Sequence, residues 1–144
     1  MESVYEIVEQ SLDSAHSALV LREVGHHDTF LDEMATDHRR KDEAKALKRS
    51  LIRIADYGLS WALASETVKL LKTGAPGLLV AEVRVHRRVH RIMAYAHDRE
   101  DGPLVLLFPF KGHTQRSSGG IPEQTLAKGI KLAKIAKRLL ENEQ

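Results

Sequence analysis

The stretch Leu78–Ala96, LLVAEVRVHRRVHRIMAYA, decides how this chain is expected to fold. It is rich in Val, Ile and Tyr, and its side chains alternate in character along the chain, which is the period-two pattern of a β-strand. The two basic residues Arg87 and Arg88 divide it at its centre. We therefore predict two antiparallel strands, Leu78–His86 and Val89–Ala96, joined by a tight turn.

A turn centred on these two arginines also predicts which residues lie across from one another. It places Arg84 directly opposite Arg91, with Glu82 on the same face of the sheet. Like charges at opposed positions destabilise a sheet, but an anion held between them offsets that repulsion. Two guanidinium groups match phosphate oxygens well. The alternative is that Glu82 and a nearby acid neutralise both arginines and nothing binds.

Upstream of the hairpin, the pattern first favours a strand and then helices. Ser17–Val24 is typical of a strand. Before it, the apolar residues from Val4 to Leu12 have helical spacing, but Val4–Val8 fits a short strand equally well. From Phe30 to Tyr57 the apolar spacing is helical around a polar middle, which predicts a helical hairpin capped by Thr29 or Asp28 and ended by Gly58. We expect Trp61–Leu71 to be a short helical or irregular piece.

Downstream, the pattern predicts one more strand and a closing helix. Leu104–Phe108 is a strand that Pro109 is expected to end, and a polar loop follows through Gly120. Pro122–Leu140 is a helix, with Pro122 in its first turn. The predicted fold class is α+β, with helices packed on one side of a small antiparallel sheet, in a single domain over residues 1–144.

Composition excludes several classes of protein. The chain has 144 residues, 42% of them apolar, and no cysteine, which excludes disulfide scaffolds, thiolate metal sites and cysteine nucleophiles. It shows neither the apolar core of a secretory signal nor a run of about 20 apolar residues. We expect a cytoplasmic protein with no membrane partner.

The charge is unevenly distributed along the chain. Residues 1–73 carry 10 basic and 13 acidic side chains, whereas residues 74–144 carry 12 and 7. Four of the eight histidines also lie in the second part. A basic half favours an anionic partner, with nucleic acid as the leading candidate, although a solvated basic face gives the same count.

The loop FKGHTQRSSGG (Phe110–Gly120) adds reactive groups beside the arginine pair. His113 is suited to general acid–base chemistry near neutral pH, and Lys111 can stabilise a charged phosphorane. Attack of a ribose 2′-hydroxyl on its own phosphate needs such a base, an acid and cations, without a metal ion. A lone loop histidine is otherwise an ordinary polar surface residue.

The sequence gives little indication of a metal or a cofactor, and we predict none. His86 and His90 have a helical ligand spacing but flank a hairpin turn, and His26-His27 has no acidic partner at a recognised spacing. Phosphate-binding P-loop, GxGxxG and GxSxG motifs are absent, so nucleotide hydrolases and α/β-hydrolases find no support.

An ordered series of segments resembles the RelE/ParE superfamily of bacterial toxins, and most closely its HigB-like, phage-derived branch. The segments run from FLDEM through KLLKTGAPGLLVAEVRV, RIMAY and LVLLFPFKGHTQ to IPEQTLAKGIKLAKIAKRLL, covering about residues 28–140. Residues 1–27 are less typical. The resemblance implies a RelE-like fold with an N-terminal helical hairpin and a C-terminal helix.

The resemblance further implies a toxin of a type II toxin–antitoxin system. Such a toxin is an endoribonuclease that cleaves mRNA on the ribosome and is neutralised by a cognate antitoxin protein. We expect the catalytic residues to be Arg84, Arg91, Lys111 and His113, with Arg84 and Arg91 matching the family's strand arginines. We expect the RNA-binding residues to be Arg87, Arg88, His90, Gln115 and Arg116.

Two other functions stay open at this point. Relatives often have a second lysine in the loop where this chain has Gly112 and His113, so a relative that binds RNA or a partner without cleaving is one alternative. Members of the superfamily can also inhibit DNA gyrase without any ribonuclease chemistry, because a fold does not determine its activity.

Overall fold

The computed structural model describes residues 4–85, 90–98, 102–111 and 121–142. The strands are β1 (Tyr5–Ser11), β2 (Ser17–Glu23), β3 (Val68–Leu70), β4 (Leu79–Arg84), β5 (His90–Ala96) and β6 (Leu104–Lys111). The helices are α1 (Phe30–Thr36), α2 (Lys41–Tyr57), α3 (Leu59–Ala64) and α4 (Glu123–Asn142), with a 3₁₀ turn at His38–Arg40.

The strands form one six-stranded sheet in the order β1-β2-β6-β5-β4-β3. All neighbours are antiparallel except β2 and β6, which run parallel through Leu19–Val105 and Val20–Leu106. The α+β class is confirmed. The expectation of an entirely antiparallel sheet is wrong, because the chain reaches β6 only after the helices and β3–β5 and enters it beside β2 in the same direction.

Helices cover both faces of the sheet, so the prediction of helices on one side is wrong. Leu47 and Leu51 of α2 belong to a core cluster with Val83 and Ile92, whereas Leu132 and Ala136 of α4 belong to another. Successive residues of a strand point to opposite faces. The central strands are buried on both faces, and each face therefore supplies apolar side chains to a different core.

The chain begins with a β-hairpin rather than with the helical hairpin implied by the resemblance. The ambiguous Val4–Leu12 segment forms β1, which pairs with β2 from Tyr5–Glu23 to Ser11–Ser17. The helical pair α1–α2 follows it. Thr29 caps α1 in a capping box with Asp32, and Gly58 ends α2 with a φ of 90°, a conformation that glycine adopts without strain.

Two strand boundaries differ from the prediction. Val68–Leu70, expected to be helical or irregular, pairs with β4 as β3. Pro109 does not end β6, since it lies opposite Ile92 within the strand. Proline lacks an N–H group and is tolerated where a strand has a neighbour on one side only. Strand β2 pairs only with Val105 and Leu106, so β6 has a single strand partner at Pro109.

Helix α4 approaches the sheet closely beside β5. A Cβ atom at Gly129 would lie 2.8 Å from Sδ of Met93, and this contact explains why glycine is found in the middle of a long helix. The exposed residues of α4 include Lys128, Lys131, Lys134 and Arg138. Among the described residues, no helix combines the length and the apolar character that crossing a membrane requires.

Candidate functional site

The arginine pair lies where the hairpin register predicts it. Strands β4 and β5 place Arg84 directly opposite Arg91, and Glu82 opposite Met93. The side chains of Glu82, Arg84, Arg91 and Met93 therefore share one face of the sheet, the face covered by α4. The side chains of the two arginines keep 32% and 19% of their surface exposed, for Arg84 and Arg91 respectively.

Glu82 lies between the two arginines and binds both. Its carboxylate is 2% exposed and accepts a bond of 2.8 Å from Nε of Arg84 and two bonds of 3.1 Å from Nη1 of Arg91. A buried carboxylate is stable only when it is paired and hydrogen bonded. The cluster thus holds two positive charges and one negative charge. Glu82, expected under the alternative prediction to help neutralise both arginines, balances the charge of one of them.

This pairing leaves part of each guanidinium group available. Within the described residues, Arg84 uses Nε and Arg91 uses Nη1, so the remaining N–H groups have no protein acceptor there. A guanidinium group carries five donors in a fixed plane. Glu82 consequently orients both arginines without using all their donors, and the cluster retains the capacity to bind an anion.

Aromatic rings and a lysine lie on the same face of the sheet. Phe110 is directly opposite Arg91, and its ring centroid is 6.4 Å from that of Phe108. Nζ of Lys128, on α4, lies 4.4 Å from the centroid of Phe108. Phe108 is buried, so Phe110 and Lys128 are the members of this group near the surface, and a cation beside an aromatic ring is a feature of surfaces that bind single-stranded nucleic acid.

The structure separates two predicted residues from the arginine pair. His90 lies opposite Lys111 at the ends of β5 and β6, on the other face of the sheet. Nδ1 of His90 is 3.8 Å from Oε2 of Glu43 on α2. Because neighbouring strand residues point to opposite faces, His90 faces α2 while Arg91 faces α4. Lys111 thus belongs beside His90 rather than beside the arginine pair.

The other predicted site residues, Arg87, Arg88, His113, Gln115 and Arg116, lie outside the described residues. His86 lies outside them as well. Of the four predicted catalytic residues, the structure brings together Arg84 and Arg91, and it places Lys111 on the other face.

Sequence reasoning missed three contributors to this surface. Phe108 and Phe110 had a signal, because residues two apart on a strand share a face. Lys128 had none, since its position depends on how α4 docks on the sheet. Glu43 was missed as the partner of His90 for the same reason, because it belongs to a distant helix.

A second ionic cluster lies at the far end of the sheet, around His16. Its Nδ1 is 2.9 Å from Asp13 and its Nε2 is 2.6 Å from Asp56 at the end of α2. The hydrogen bond to Asp56, followed by that to Asp13, raises the pKa of His16 above its ordinary 6.5. Hydrogen bonds from the N–H of Ala15 and from His16 lower the pKa of Asp13 below 3.8.

A cavity of about 290 Å³ lies next to this second cluster, on the α2 face of the sheet. Its walls are mostly apolar and include Leu51, Ile54, Leu59 and Leu106. It is therefore on the opposite side of the sheet from the arginine pair. Among the described residues, no three histidine or acidic side chains are arranged to hold a metal ion.

Comparison with protein-family models, with curated proteins and with solved structures gave no match to this chain. The resemblance to the RelE/ParE superfamily thus rests on the quoted segments alone. The cluster of Glu82, Arg84 and Arg91 is therefore the structural feature on which a function can be proposed.

Proposed function

We propose that the chain is an endoribonuclease toxin of a type II toxin–antitoxin system that acts on translated mRNA. The observation that carries the proposal is the pair Arg84 and Arg91, held opposite each other by a single buried carboxylate that leaves several of their donors unused within the described residues. Together with Glu82, the two arginines carry one excess positive charge, which complements the single negative charge of a phosphodiester. In this proposal its partners are mRNA, the ribosome and a cognate antitoxin.

The arginines would bind the scissile phosphate and stabilise the phosphorane. Preorganised donors contribute most to such a step because they need no reorganisation as charge develops. Glu82 supplies that preorganisation, since it fixes both guanidinium groups before RNA arrives. Phe110, next to Arg91, would stack on an adjacent base, and Lys128 would lie near the RNA backbone.

In this mechanism His113 would either accept the proton of the attacking 2′-hydroxyl or donate a proton to the leaving 5′-oxygen, and water would make the other transfer. Lys111, on the His90 side of the sheet, is less suited to contact the same phosphate. This placement favours a second candidate function, an RNA-binding relative that does not cleave. The two candidates share the arginine pair and differ only in the chemical step.

The decisive test changes both arginines to lysine. Arg84→Lys/Arg91→Lys keeps the positive charges that compensate Glu82, so the fold should persist, but it removes the planar forks. We expect cleavage to fall by about 10²–10³-fold, the usual effect of losing donors that stabilise a developing oxyanion. Arg22→Lys is the matched control, because Arg22 makes a partly exposed ion pair with Glu6 on another strand pair, away from the arginine cluster.

Genome-wide mapping of mRNA 5′ ends after induction reads out the activity. Codon-phased new ends that disappear in the arginine variant and in His113→Ala support the nuclease. RNA binding that needs the arginines, without new ends in the native chain, supports the non-cleaving relative. Toxicity and new ends unchanged in the arginine variant would overturn this site assignment, and growth arrest with DNA damage signalling would transfer the proposal to gyrase.

A further inference from the structure

The two edges of the sheet are protected to different degrees. Strand β3 forms one edge and has only three residues, of which the central one is Lys69. Strand β1 forms the other edge with seven residues, YEIVEQS, and contains no lysine, proline or glycine. Short length, lysine and proline are the usual devices that prevent edge strands from pairing with other chains. Strand β1 lacks these three.

The pairing of β1 with β2 shows which backbone groups point outward. The N–H of Val24 donates to the carbonyl of Val4, and the N–H of Leu12 donates to the carbonyl of His16. Hydrogen-bonded pairs alternate along an antiparallel ladder, so the even-numbered residues of β1 bond β2. The N–H and C=O groups of Tyr5, Ile7, Glu9 and Ser11 therefore point away from the sheet, where no described strand pairs with them.

Strand β1 is complementary to itself across a two-fold axis. With the axis at Val8, a second β1 runs antiparallel to the first and pairs Tyr5 with Ser11, Glu6 with Gln10 and Ile7 with Glu9. All outward groups of both strands then meet, since odd residues pair with odd residues. No glutamate lies directly opposite another, and the carboxylate of Glu6 is already bound by Arg22 at 2.7 Å.

Exposed apolar residues mark the same edge. Three large hydrophobic residues are exposed among those described, and two of them, Val4 at 67% and Val24 at 53%, lie at one end of the β1–β2 pair. In the register centred on Val8, Val4 falls opposite Leu12 of the second chain. The pairing thus supplies an apolar neighbour to a valine that the single chain leaves in water.

We propose that β1 is a homodimer interface, through which a second copy of this chain extends the sheet to twelve strands. The interface is isologous, because each copy contributes the same strand. It uses main-chain hydrogen bonds for affinity and the Val8-centred register for specificity. The arginine pair lies on β4 and β5, away from this edge, so the proposal is independent of the proposed ribonuclease function.

Proline at Glu9 is a specific way to block this edge. Glu9 is exposed and its N–H points outward, so Glu9→Pro removes an outward donor without removing a bond to β2. Glu9→Ala keeps that donor and is the matched control. In sedimentation velocity over a concentration series, we expect the native chain and Glu9→Ala to dimerise and Glu9→Pro to remain a monomer with an unchanged circular dichroism spectrum.

A disulfide tests the register and does not depend on the proline variant folding. The chain has no cysteine, so one substitution creates one thiol. Val8→Cys places two thiols at a pair of the closely spaced type, within reach of a disulfide. Val4→Cys is the control, because the same register separates the two Val4 positions by eight residues, or about 27 Å.

Rapid oxidation of Val8→Cys to a covalent dimer is the expected result, with Val4→Cys forming the non-covalent dimer but no disulfide. A native chain that sediments as a monomer at every concentration would overturn the proposal. Equal cross-linking at both positions would also overturn it, since it indicates random collision. A dimer that persists in folded Glu9→Pro and leaves Val8→Cys reduced would place the interface elsewhere and contradict the assignment to β1.

Discussion

Glu82 and His16 each bind two side chains of the charge opposite to their own. Glu82 is buried in the sheet, whereas His16 lies at its exposed end. Glu82 is 2% exposed and holds Arg84 and Arg91, whereas the side chain of His16 is 23% exposed and holds Asp13 and Asp56. Burial decides what each bridge does. A buried carboxylate cannot lose its partners without a large penalty, and an exposed histidine can exchange its partners for water.

The two bridges are also suited to different roles, because Glu82 positions its arginines whereas the strength of the His16 bridge depends on pH. Three hydrogen bonds to one buried carboxylate fix the geometry of the Glu82 cluster. The His16 cluster loses a charge as the pH rises above 6.5, because the hydrogen bonds to Asp56 and Asp13 raise the pKa of the bridging histidine. The proposed phosphate site requires donors in fixed positions, and the buried Glu82 cluster meets this requirement better than the His16 cluster does.

The largest expected effect comes from removing the buried charge. Glu82→Gln leaves two guanidinium groups without their counter-ion, and we expect a loss of about 3 kcal/mol in the free energy of unfolding. Urea denaturation measures it. Glu6→Gln is the control, because it makes the same change in the partly exposed ion pair with Arg22 and should lose about 1 kcal/mol or less. Equal losses would contradict the distinction drawn between buried and exposed bridges.

A smaller effect is expected where α4 meets β5 next to the arginine pair. Gly129→Ala brings a Cβ to 2.8 Å from Sδ of Met93, which is completely buried. Overpacking of this kind costs about 1–3 kcal/mol, and the higher helix propensity of alanine returns about 1 kcal/mol. We expect a net loss of about 1 kcal/mol by thermal denaturation.

The control for this prediction removes the side chain that the new Cβ would contact and leaves the helix unchanged. Met93→Ala opens space at the same point, so the alanine at 129 should be tolerated better in the Met93→Ala background than in the native one. Additive losses in the double variant would show that Gly129 and Met93 are not coupled. Non-additive losses would show that α4 packs tightly against β5 beside the arginine pair.

Local patterns were sufficient for the parts of the site that lie within one hairpin. The Arg84–Arg91 pairing and the position of Glu82 follow from alternation around a turn, and both were predicted. The parallel β2–β6 contact and the two-sided helix packing join segments far apart in sequence, and no local period encodes them. The same reason explains why Lys128 and Glu43 were missed. Lys111 was expected beside Arg91 because Pro109 was expected to end β6, whereas the strand continues and places Lys111 opposite His90.

The strand through Pro109 shows a different limit. Proline usually ends a strand because it removes a ladder bond. Here the neighbouring strand β2 has already stopped pairing with β6, so the missing N–H leaves no gap in the sheet. Only knowledge of the strand order makes Pro109 compatible with β6.

The smallest effect, and the one that depends on pH, belongs to His16. Its pKa is raised in the folded state, so its bridge stabilises the fold fully below about pH 6.5 and loses this contribution as the pH rises through the higher folded-state value. The lowered pKa of Asp13 acts in the other direction, and its contribution disappears as the pH falls below 3.8 through the folded-state value. Both contributions to the stability of the fold are therefore present between pH 3.8 and pH 6.5.

Thermal denaturation from pH 5 to pH 9 tests the bridge in the native chain and in His16→Ala. We expect the melting temperature of the native chain to fall relative to that of the variant as the pH rises above 6.5, since only the native chain loses the bridge. Asp56→Asn is the matched control, because it removes the bond that raises the pKa most, and it should shift the fall to lower pH. Parallel curves for the native chain and His16→Ala would show that the bridge to α2 does not stabilise the fold.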